Sequence, residues 1–422
     1  MEQFIINGGK PLKGEIEVMG SKNATTPIFS ACLLTKEECI IDNVPRITDV
    51  MNMIKILQSM GVEVERIGER TVRVKAGDNV DPEKMDFALV GHMRSSILLL
   101  GSLLARFHKF KIKQPGGCII GARPIGTHFD ALEALGATIT QDDQFYYFNA
   151  DKLTGKRIVL KEFSVTATEN LMMAATLAEG TTTIRTAAIE PHVQDLGRFL
   201  RKMGADIRGC GFHTIEIRGV QKLHGAKHSI QPDPIEAGTF AIAAGATRGD
   251  VLIKNVIPDD LDLVLEKLKE AGVIFDIENG KNLHIKPTSK LGTLGKVEAR
   301  TYPGLPTDLQ APFAVLATQT TGNTLIHDTL YEGRMNYVNE LTKMGANAVI
   351  CDPHRAIITG PTPLYGKDIT SFDLRAGATM IIAALLAQGQ STLSGIEQVD
   401  RGYERIEERL GNLGADIRRE EI

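Results

Sequence analysis

A cysteine in a glycine-rich loop is the first candidate for chemistry in this chain. Cys118 stands in the run Gln114-Pro115-Gly116-Gly117-Cys118-Ile119-Ile120-Gly121-Ala122-Arg123-Pro124. Glycines let a backbone approach a ligand closely, as loops over active sites do. A nearby arginine and a helix N-terminus favour the thiolate, which acts as an acid, a base or a nucleophile. The alternative is a surface loop with an incidental cysteine.

Two arginines hold equivalent places in the two halves of the chain. Arg123 precedes Gly136 by 13 residues, and Arg401 precedes Gly414 by 13. Pro124 is suited to the first position of a helix, and Asp400 to a helix cap. Anions bind where free backbone N–H groups and a guanidinium converge. The pattern therefore predicts two helix N-termini directed at one phosphate or carboxylate; otherwise both arginines are solvated surface residues.

Three further polar positions have two interpretations each. Lys22 and Asn23 follow the first strands and fit a helix cap with an exposed lysine. Asp308, in Pro306-Thr307-Asp308, and Asp373, in Phe372-Asp373-Leu374, fit carboxylates in the first turn of a helix. By themselves these residues do not decide between capping and a functional role.

The elements that must position these residues form a sixfold repeat. The pattern Leu-x-x-apolar-Gly ends at Gly61, Gly136, Gly204, Gly272, Gly345 and Gly414, a period of roughly 68 to 75 residues. Each copy has an amphipathic helix, a glycine suited to a left-handed helix end and then an extended segment. A second apolar helix and a strand precede it. Each unit is predicted to be helix, strand, helix, strand, strand.

Composition bounds the class of protein. The chain has 422 residues, 43% hydrophobic and 24% charged, with a net charge of −4, which predicts a large α/β protein of two domains with three units each. No basic run predicts nucleic-acid binding. No stretch reaches the roughly 20 apolar residues that span a bilayer, and no secretory pattern opens the chain. We therefore expect a cytoplasmic protein without a membrane partner.

The five cysteines form no C-x-x-C pair, so neither a disulfide framework nor a zinc site is expected. Apart from Cys118, they are predicted to be small buried or half-buried residues: Cys32, Cys39, Cys210 and Cys351. No metal and no cofactor are predicted.

Taken together, several segments closely resemble the bacterial UDP-N-acetylglucosamine enolpyruvyl transferases. The resemblance runs from Met1 to about Ile417 and is carried by these residues: Ser21-Lys22-Asn23-Ala24, Asn43-Val44-Pro45, Asp49-Val50, Pro115-Gly116-Gly117-Cys118, Ile120-Gly121-Ala122-Arg123-Pro124, Leu177-Ala178-Glu179-Gly180, Tyr302-Pro303-Gly304, Pro306-Thr307-Asp308, Glu332, Arg334, Asp373-Leu374-Arg375-Ala376 and Asp400-Arg401-Gly402-Tyr403. It implies an inside-out α/β barrel fold of six βαβαββ-type units. It also implies a discontinuous first domain, 1–21 plus 230–422, and a second domain, 22–229, with Lys22 and Asn23 at the hinge, outside any repeat helix.

The resemblance also implies a reaction. The enolpyruvyl group of phosphoenolpyruvate passes to the 3-hydroxyl of UDP-N-acetylglucosamine with release of phosphate, which opens peptidoglycan synthesis. Cys118 would be the general acid or covalent partner, and the site that fosfomycin alkylates; Asp308 would be the base. Lys22, Arg123 and Arg401 would hold phosphoenolpyruvate, with Lys22 and Arg401 counted as catalytic. Substrate contacts are implied for the remaining residues: Asn23, Arg94, Pro124, Ser164, Val165, Thr166, Leu330, Arg334 and Asp373.

The chain departs from the family pattern near the nucleotide. Thr166 replaces a common glycine, Gly126 and Thr127 replace a common Asp-Leu, and Gly333 replaces a frequent asparagine. Our hypothesis is that the backbone at Thr166 is ordinary and that its hydroxyl adds a phosphate contact. Three alternatives to the main function are a retired paralogue that only binds nucleotide sugar, transfer to shikimate-3-phosphate, and a repeat scaffold, although the paired arginines disfavour a scaffold.

Overall fold

A computed structural model describes residues 2–114 and 125–421. The helices are α1 Lys22–Ala31, α2 Thr48–Ser59, α3 Phe87–His92, α4 Leu99–Phe107, α5 Gly126–Leu135, α6 Val165–Ala175, α7 Pro191–Lys202, α8 Pro234–Ala246, α9 Asp262–Glu270, α10 Thr307–Ala317, α11 Tyr337–Lys343, α12 Leu374–Leu386 and α13 Ile406–Gly411. Short 3-10 helices cover Cys32–Leu34, Pro82–Lys84, Arg94–Leu98, Pro258–Leu261 and Ile396–Arg401.

The strands lie between these helices. They are β1 Glu2–Asn7, β2 Lys13–Glu17, β3 Glu38–Asp42, β4 Glu63–Arg66, β5 Val72–Lys75, β6 Lys109–Lys113, β7 Thr138–Gln141, β8 Phe145–Asn149, β9 Arg157–Val159, β10 Thr181–Arg185, β11 Asp206–Arg208, β12 Thr214–Arg218, β13 Lys227–Ser229, β14 Asp250–Lys254, β15 Ile274–Glu278, β16 Asn282–Lys286, β17 Lys296–Ala299, β18 Gly322–Asp328, β19 Asn347–Asp352, β20 Arg355–Gly360, β21 Asp368–Thr370, β22 Gln390–Ser394 and β23 Asp416–Glu421.

The described chain divides into two compact units. Unit A contains residues 2–19 and 232–421, and unit B contains residues 20–114 and 125–231. Each unit has its own apolar core. This division supports the predicted two-domain organisation, whose boundaries at 21/22 and 229/230 remain a proposal.

One strand order recurs in both units. In β2-β14-β16-β15 the edge strand β2 pairs parallel with β14, whereas β14 and β15 both pair antiparallel with β16. The sheets β17-β18-β20-β19, β21-β22-β1-β23, β13-β3-β5-β4 and β9-β10-β12-β11 repeat this arrangement, and β6-β8-β7 is three-stranded. Parallel neighbours need a crossover connection, and one helix supplies it for three pairs: α10 between β17 and β18, α12 between β21 and β22, and α6 between β9 and β10. The βαβαββ unit implied by the family resemblance is confirmed. Periodicity alone predicted helix, strand, helix, strand, strand, and the structure adds the parallel edge strand that this order lacked.

Distant parts of the chain complete three of the sheets. The N-terminal strand β1 lies between β22 and β23, and β2 joins β14 through the register Lys13↔Asp250. Likewise, β13 joins β3 through the register Lys227↔Ile40. Strand pairing at this sequence separation leaves no local periodic signal. The sequence therefore predicts β1 as a strand without indicating which sheet it enters.

The apolar helices lie inside each unit. Every residue of α8 from Ile235 to Ala246 is buried, and so is every residue of α12 from Leu374 to Leu385. A helix that is apolar on all sides has no face for solvent. In unit A, α8, α10 and α12 contact one another. In unit B, α4 and α6 pack closely at Gly101, where a Cβ would lie 2.1 Å from the carbonyl oxygen of Asn170.

The six repeat glycines adopt the conformation that the sequence predicts. Their φ angles lie between 78° and 115°, in the left-handed region that favours glycine. In each case the glycine ends the second helix of a unit and leads toward a strand. The repeated sequence pattern therefore marks the C-terminus of the second helix in each unit, and this prediction is confirmed.

Candidate active site

Asp308 forms the centre of a charged cluster in unit A. It is the second residue of α10, so its carboxylate lies in the first turn, as predicted. Nη2 of Arg334 lies 2.8 Å from one carboxylate oxygen, and Nε of Arg375 lies 2.9 Å from the other. The Asp308 side chain remains 20% exposed. Arg334 and Arg375 thus contact different oxygens of the Asp308 carboxylate and orient it.

The first turn of α12 holds Arg375 in place. Asp373 caps this helix, since its carboxylate accepts from the backbone N–H groups of Arg375 at 2.8 Å and Ala376 at 3.0 Å. Nη1 of Arg375 donates to the Tyr403 hydroxyl at 3.1 Å, and that hydroxyl lies 2.9 Å from Oγ1 of Thr239. The structure therefore shows Asp373 as the cap of α12, while its contact with substrate stays a prediction.

At Arg334 and Arg375, nearby carboxylates raise the pKa by more than burial lowers it. Burial disfavours the charged form of Arg334, but Asp308, Asp373 and Asp328 together raise the pKa of its guanidinium above the ordinary value. Burial opposes the charge of Arg375 in the same way, and Asp308 is the largest influence that raises its pKa. Both cations therefore stay charged while buried, and they hold Asp308 in one orientation.

Asp328 connects Leu330 to the same cluster. Its carboxylate accepts from the backbone N–H groups of Leu330 at 2.9 Å and Tyr331 at 3.0 Å, and from the hydroxyl of Thr307. Thr307 precedes Asp308 at the start of α10. The Leu330 side chain is 37% exposed, so it presents an apolar surface beside an otherwise charged group.

The prediction that Arg401 lies at a helix N-terminus is wrong. Arg401 is the last residue of the 3-10 helix Ile396–Arg401, and α13 begins only at Ile406. Asp400 does not cap α13 either; its carboxylate accepts two hydrogen bonds from Arg419. Counting back from Gly414 fails because a short 3-10 helix and a turn replace the first turns of the expected α-helix. Nη1 of Arg401 donates to Gln398 at 3.1 Å.

The prediction that Lys22 and Asn23 lie outside any helix, with an exposed lysine, is also wrong. They are the first two residues of α1, and Ser21 caps it by accepting from the N–H of Ala24 at 3.4 Å. The Lys22 side chain is only 16% exposed, and its Nζ lies 3.1 Å from the buried carboxylate of Asp49 in α2. This ion pair brings the N-termini of α1 and α2 together in unit B.

Thr166 links two helix starts in unit B. Ser164 caps α6, and Val165 and Thr166 are its first two residues. Oγ1 of Thr166 lies 2.8 Å from Nε2 of His128, in the first turn of α5. The backbone of Thr166 is helical, as our hypothesis of an ordinary backbone requires. Next to His128, Thr127 donates to the carboxylate of Glu162 at 2.9 Å.

The remaining predicted site residues are placed as follows. Arg94 begins the 3-10 helix Arg94–Leu98 in unit B and is half-buried. Cys118, Arg123 and Pro124 lie outside the described residues. Of the others, unit B carries Lys22, Asn23, Ser164, Val165 and Thr166, and unit A carries Asp308, Leu330, Arg334, Asp373 and Arg401.

Sequence reasoning missed Arg375 and His128. Arg375 was quoted only within a family motif, although a buried arginine two residues after a helix cap could have been recognised as the partner of a carboxylate. His128 follows Gly126 and Thr127, two of the residues that depart from the family pattern. The sequence contained no signal that His128 contacts Thr166, since the two are 38 residues apart.

The predictions for the other cysteines hold in three cases of four. Cys32 and Cys39 are buried and Cys210 is half-buried, but Cys351 is exposed on β19. Cys351 occupies an outward position on the edge strand β19, so the prediction of a buried or half-buried residue is wrong there. Within residues 2–114 and 125–421, no three histidine, cysteine or acidic side chains converge in a way that could hold a metal ion.

None of the helices in the described part of the chain is sufficiently long and apolar to cross a membrane.

Comparison with known proteins gives the class and then the family. The model of the EPSP synthase family (3-phosphoshikimate 1-carboxyvinyltransferase) matches residues 6–410. The enolpyruvyl transferase NikO from Streptomyces tendae superposes with a TM-score of 0.89 at 26% identity, covering 99% of both chains. EPSP synthase from Acinetobacter baumannii superposes with a TM-score of 0.75 at 22% identity over 100% of both chains, which shows the fold alone. These likenesses confirm the predicted enolpyruvyl transferase fold, and the class is that of the carboxyvinyl transferases.

Curated relatives narrow the class. UDP-N-acetylglucosamine 1-carboxyvinyltransferase from Koribacter versatilis is 45% identical and covers 99% of this chain and 96% of its own length. The proteins of the same name from Acidobacterium capsulatum and Treponema denticola are 44% and 42% identical, over 99% of this chain and 96% and 99% of theirs. This chain belongs to the UDP-N-acetylglucosamine 1-carboxyvinyltransferase family, as the resemblance predicted.

Proposed function

We propose that the protein transfers the enolpyruvyl group of phosphoenolpyruvate to the 3-hydroxyl of UDP-N-acetylglucosamine and releases phosphate. The observation that carries this proposal is Asp308, a partly exposed carboxylate held by Arg334 and Arg375. The names of the relatives at 42–45% identity support the donor group and the acceptor.

The reaction needs one base, one acid and several cations. The sugar hydroxyl adds to C2 of phosphoenolpyruvate, an enol phosphate, as C3 gains a proton, which gives a tetrahedral intermediate. Loss of a C3 proton and of phosphate then restores the double bond and leaves an enol ether of the sugar. Asp308 accepts the hydroxyl proton, because its two arginines orient a carboxylate that is partly exposed. Cys118 delivers the proton to C3 or bonds to the donor, by resemblance alone.

Cations stabilise the charge that the reaction moves. Lys22, Arg123 and Arg401 bind the phosphate and carboxylate of the donor, as the family pattern implies. In the proposed binding mode, the ammonium group of Lys22 contacts the substrate anion beside its ion pair with Asp49, at 3.1 Å.

The nucleotide sugar is assigned mainly to other residues. In unit B they are Asn23, Arg94 and the start of α6, where Ser164, Val165 and Thr166 face the diphosphate with the positive end of the helix dipole. Pro124, outside the described residues, is assigned with them. In unit A they are Leu330, Arg334 and Asp373. Arg334 is held by its ion pair with Asp308, and Asp373 by its hydrogen bonds with the first turn of α12.

The direct test is phosphate release from phosphoenolpyruvate by purified protein. We expect turnover with UDP-N-acetylglucosamine and none with shikimate-3-phosphate. Turnover with shikimate-3-phosphate alone would establish the sister activity. Binding of the nucleotide sugar without any turnover would identify a retired paralogue and overturn the proposal.

A second test addresses Cys118. Fosfomycin should add its mass to the wild-type protein and not to Cys118→Ser. The exposed Cys351 gives the control, since Cys351→Ser should be modified like the wild type. A persistent mass shift on Cys118→Ser would assign the reactive thiol elsewhere. The roles in peptidoglycan synthesis and cell division, and the cytoplasmic location, remain predictions from sequence.

A further inference from the structure

Arg419 on the last strand of unit A binds three carboxylates at once. Its Nη1 and Nη2 lie 2.9 and 2.7 Å from the two oxygens of Asp400, and its Nε lies 2.9 Å from Glu407. Nη1 also lies 2.8 Å from Glu2 on β1. The guanidinium stands over the ring of Phe4, 5.0 Å from its centroid. Hydrogen bonds from a guanidinium to both oxygens of one carboxylate are strong and fix its orientation.

Two of these carboxylates enclose the segment that carries Arg401. Asp400 immediately precedes Arg401 at the end of a 3-10 helix, and Glu407 is the second residue of α13. Between them Arg405 has φ of 43°, in the left-handed region that disfavours most side chains. A turn with an unfavourable backbone needs contacts from outside it to stay in place. Arg419 supplies such contacts at both ends.

Charge gives Arg419 a second effect. Asp400 immediately precedes Arg401, the residue assigned to the anionic donor, and Glu407 follows it at the start of α13. Without a cation between them, these carboxylates would repel phosphoenolpyruvate, and Asp400 could compete with it for the Arg401 guanidinium. Arg419 neutralises part of this negative charge and holds the Asp400 carboxylate away from Arg401.

We propose that Arg419 is a positioning residue for phosphoenolpyruvate binding, which acts by fixing the segment of Arg401 and by holding Asp400 away from it. This inference rests on the proposed function and on the role of Arg401 within it. It extends the site to the C-terminal strand β23, where neither sequence motif nor substrate contact indicated a role.

The test compares Arg419→Met with Arg418→Met. Arg418 is the neighbouring arginine on β23, and among the described residues its side chain bonds only the half-buried Glu420, at 2.7 Å. In Arg419→Met we expect the Michaelis constant for phosphoenolpyruvate to rise at least about tenfold, as for loss of charge-assisted hydrogen bonds. That for UDP-N-acetylglucosamine should change by less than about twofold, within the range of ordinary surface substitutions. Arg418→Met should leave both constants unchanged.

Two further variants separate positioning from folding. In the double variant Arg419→Met with Asp400→Asn, the Michaelis constant for phosphoenolpyruvate should fall back toward the wild-type value. The reason is that the second substitution removes the negative charge of Asp400, which Arg419 no longer holds. Arg419→Lys keeps the charge without the bidentate bonds, and its constant should lie between those of wild type and Arg419→Met. If Arg419→Met does not fold, the Michaelis constant of Arg419→Lys for phosphoenolpyruvate still tests the inference.

A melting temperature that falls in Arg419→Met while the constant for phosphoenolpyruvate stays at the wild-type value would overturn the inference. Wild-type turnover is measured first. Its absence would contradict the proposed function, whereas normal wild-type turnover with an unaffected Arg419→Met would contradict only the role of Arg419.

Discussion

The hydroxyl of Thr166 lies 2.8 Å from Nε2 of His128 and joins the first turn of α6 to the first turn of α5. The neighbouring bond from Thr127 to Glu162 joins the same two regions. Neither bond could form with the residues that commonly occupy these positions in the family. The departures at residues 127 and 166 thus act together to fix two segments assigned to the nucleotide sugar.

Replacement of Thr166 by valine should weaken nucleotide-sugar binding. Valine keeps the shape but cannot bond His128, so we expect a higher Michaelis constant for UDP-N-acetylglucosamine and a loss of about 1 kcal/mol of unfolding free energy. Thr166→Ser, which keeps the hydroxyl, is the control and should resemble the wild type. Steady-state kinetics and urea unfolding measure the two effects. A lower Michaelis constant in Thr166→Val would contradict both the linking role and a phosphate contact by the hydroxyl.

Replacement of Asp308 by asparagine should abolish most of the turnover. The amide cannot accept the proton of the sugar hydroxyl, and general-base catalysis contributes about 10²- to 10⁴-fold. Asp262, an exposed first-turn carboxylate of α9 in the same unit, provides the matched control, and Asp262→Asn should be fully active. Phosphate release is the measurement. If Asp308→Asn turned over at the wild-type rate, another group would have to be the base.

The repeat could be predicted from sequence because each of its signals is local. A glycine after an amphipathic helix depends only on neighbouring residues, and all six repeat glycines have positive φ. The contacts of the site are different in kind. Arg375 bonds Asp308, which lies 67 residues away in sequence. A periodic pattern of apolar residues cannot predict a contact between residues so far apart. The family resemblance indicated both segments, but it did not predict that they are in contact.

The failure at Arg401 has a related cause. Equal spacing from Gly136 and Gly414 suggested equal helices, yet the segment before α13 is a 3-10 helix followed by a turn. Spacing along the chain fixes a structural position only where the intervening backbone has the same geometry. At Lys22 the sequence likewise showed a cap but not its partner Asp49, 27 residues away.

A buried network should make Asp195 important for the stability of unit B. Its carboxylate accepts from His228 on β13 at 3.0 Å, from Arg198 at 3.0 Å and from the N–H of Gln231 at 3.2 Å. Burial would raise the pKa of Asp195, but His228 and Arg198 outweigh it, so the net shift is downward. A lowered pKa contributes stability that is present above the ordinary value of an aspartate and is lost as pH falls through the lowered one.

We therefore expect Asp195→Ala to lose about 3 kcal/mol of unfolding free energy at neutral pH, as for removal of one partner of a buried charge pair. The loss should shrink in acid, where the wild type also loses the contribution. Urea unfolding at both pH values measures it. Asp206→Ala, an exposed aspartate on β11, is the control and should stay close to the wild type. An equal loss for both variants would show that the network contributes nothing specific.

Glu169 should make unit B less stable as pH rises. It lies in α6 with 1% of its surface exposed, and burial, aided by the charge of Glu190, raises its pKa well above the ordinary value. A raised pKa means that the folded protein holds a proton which the unfolded chain releases from about pH 4.3 upward. The stabilising contribution is therefore complete below that pH and is lost as pH rises through the raised value. Glu169→Gln keeps a neutral side chain at every pH, so its melting temperature should exceed that of the wild type by more at about pH 8 than at about pH 5. Glu216→Gln, on the exposed face of β12, should show no such trend. A difference between Glu169→Gln and wild type that is the same at both pH values would mean that Glu169 does not titrate with unfolding.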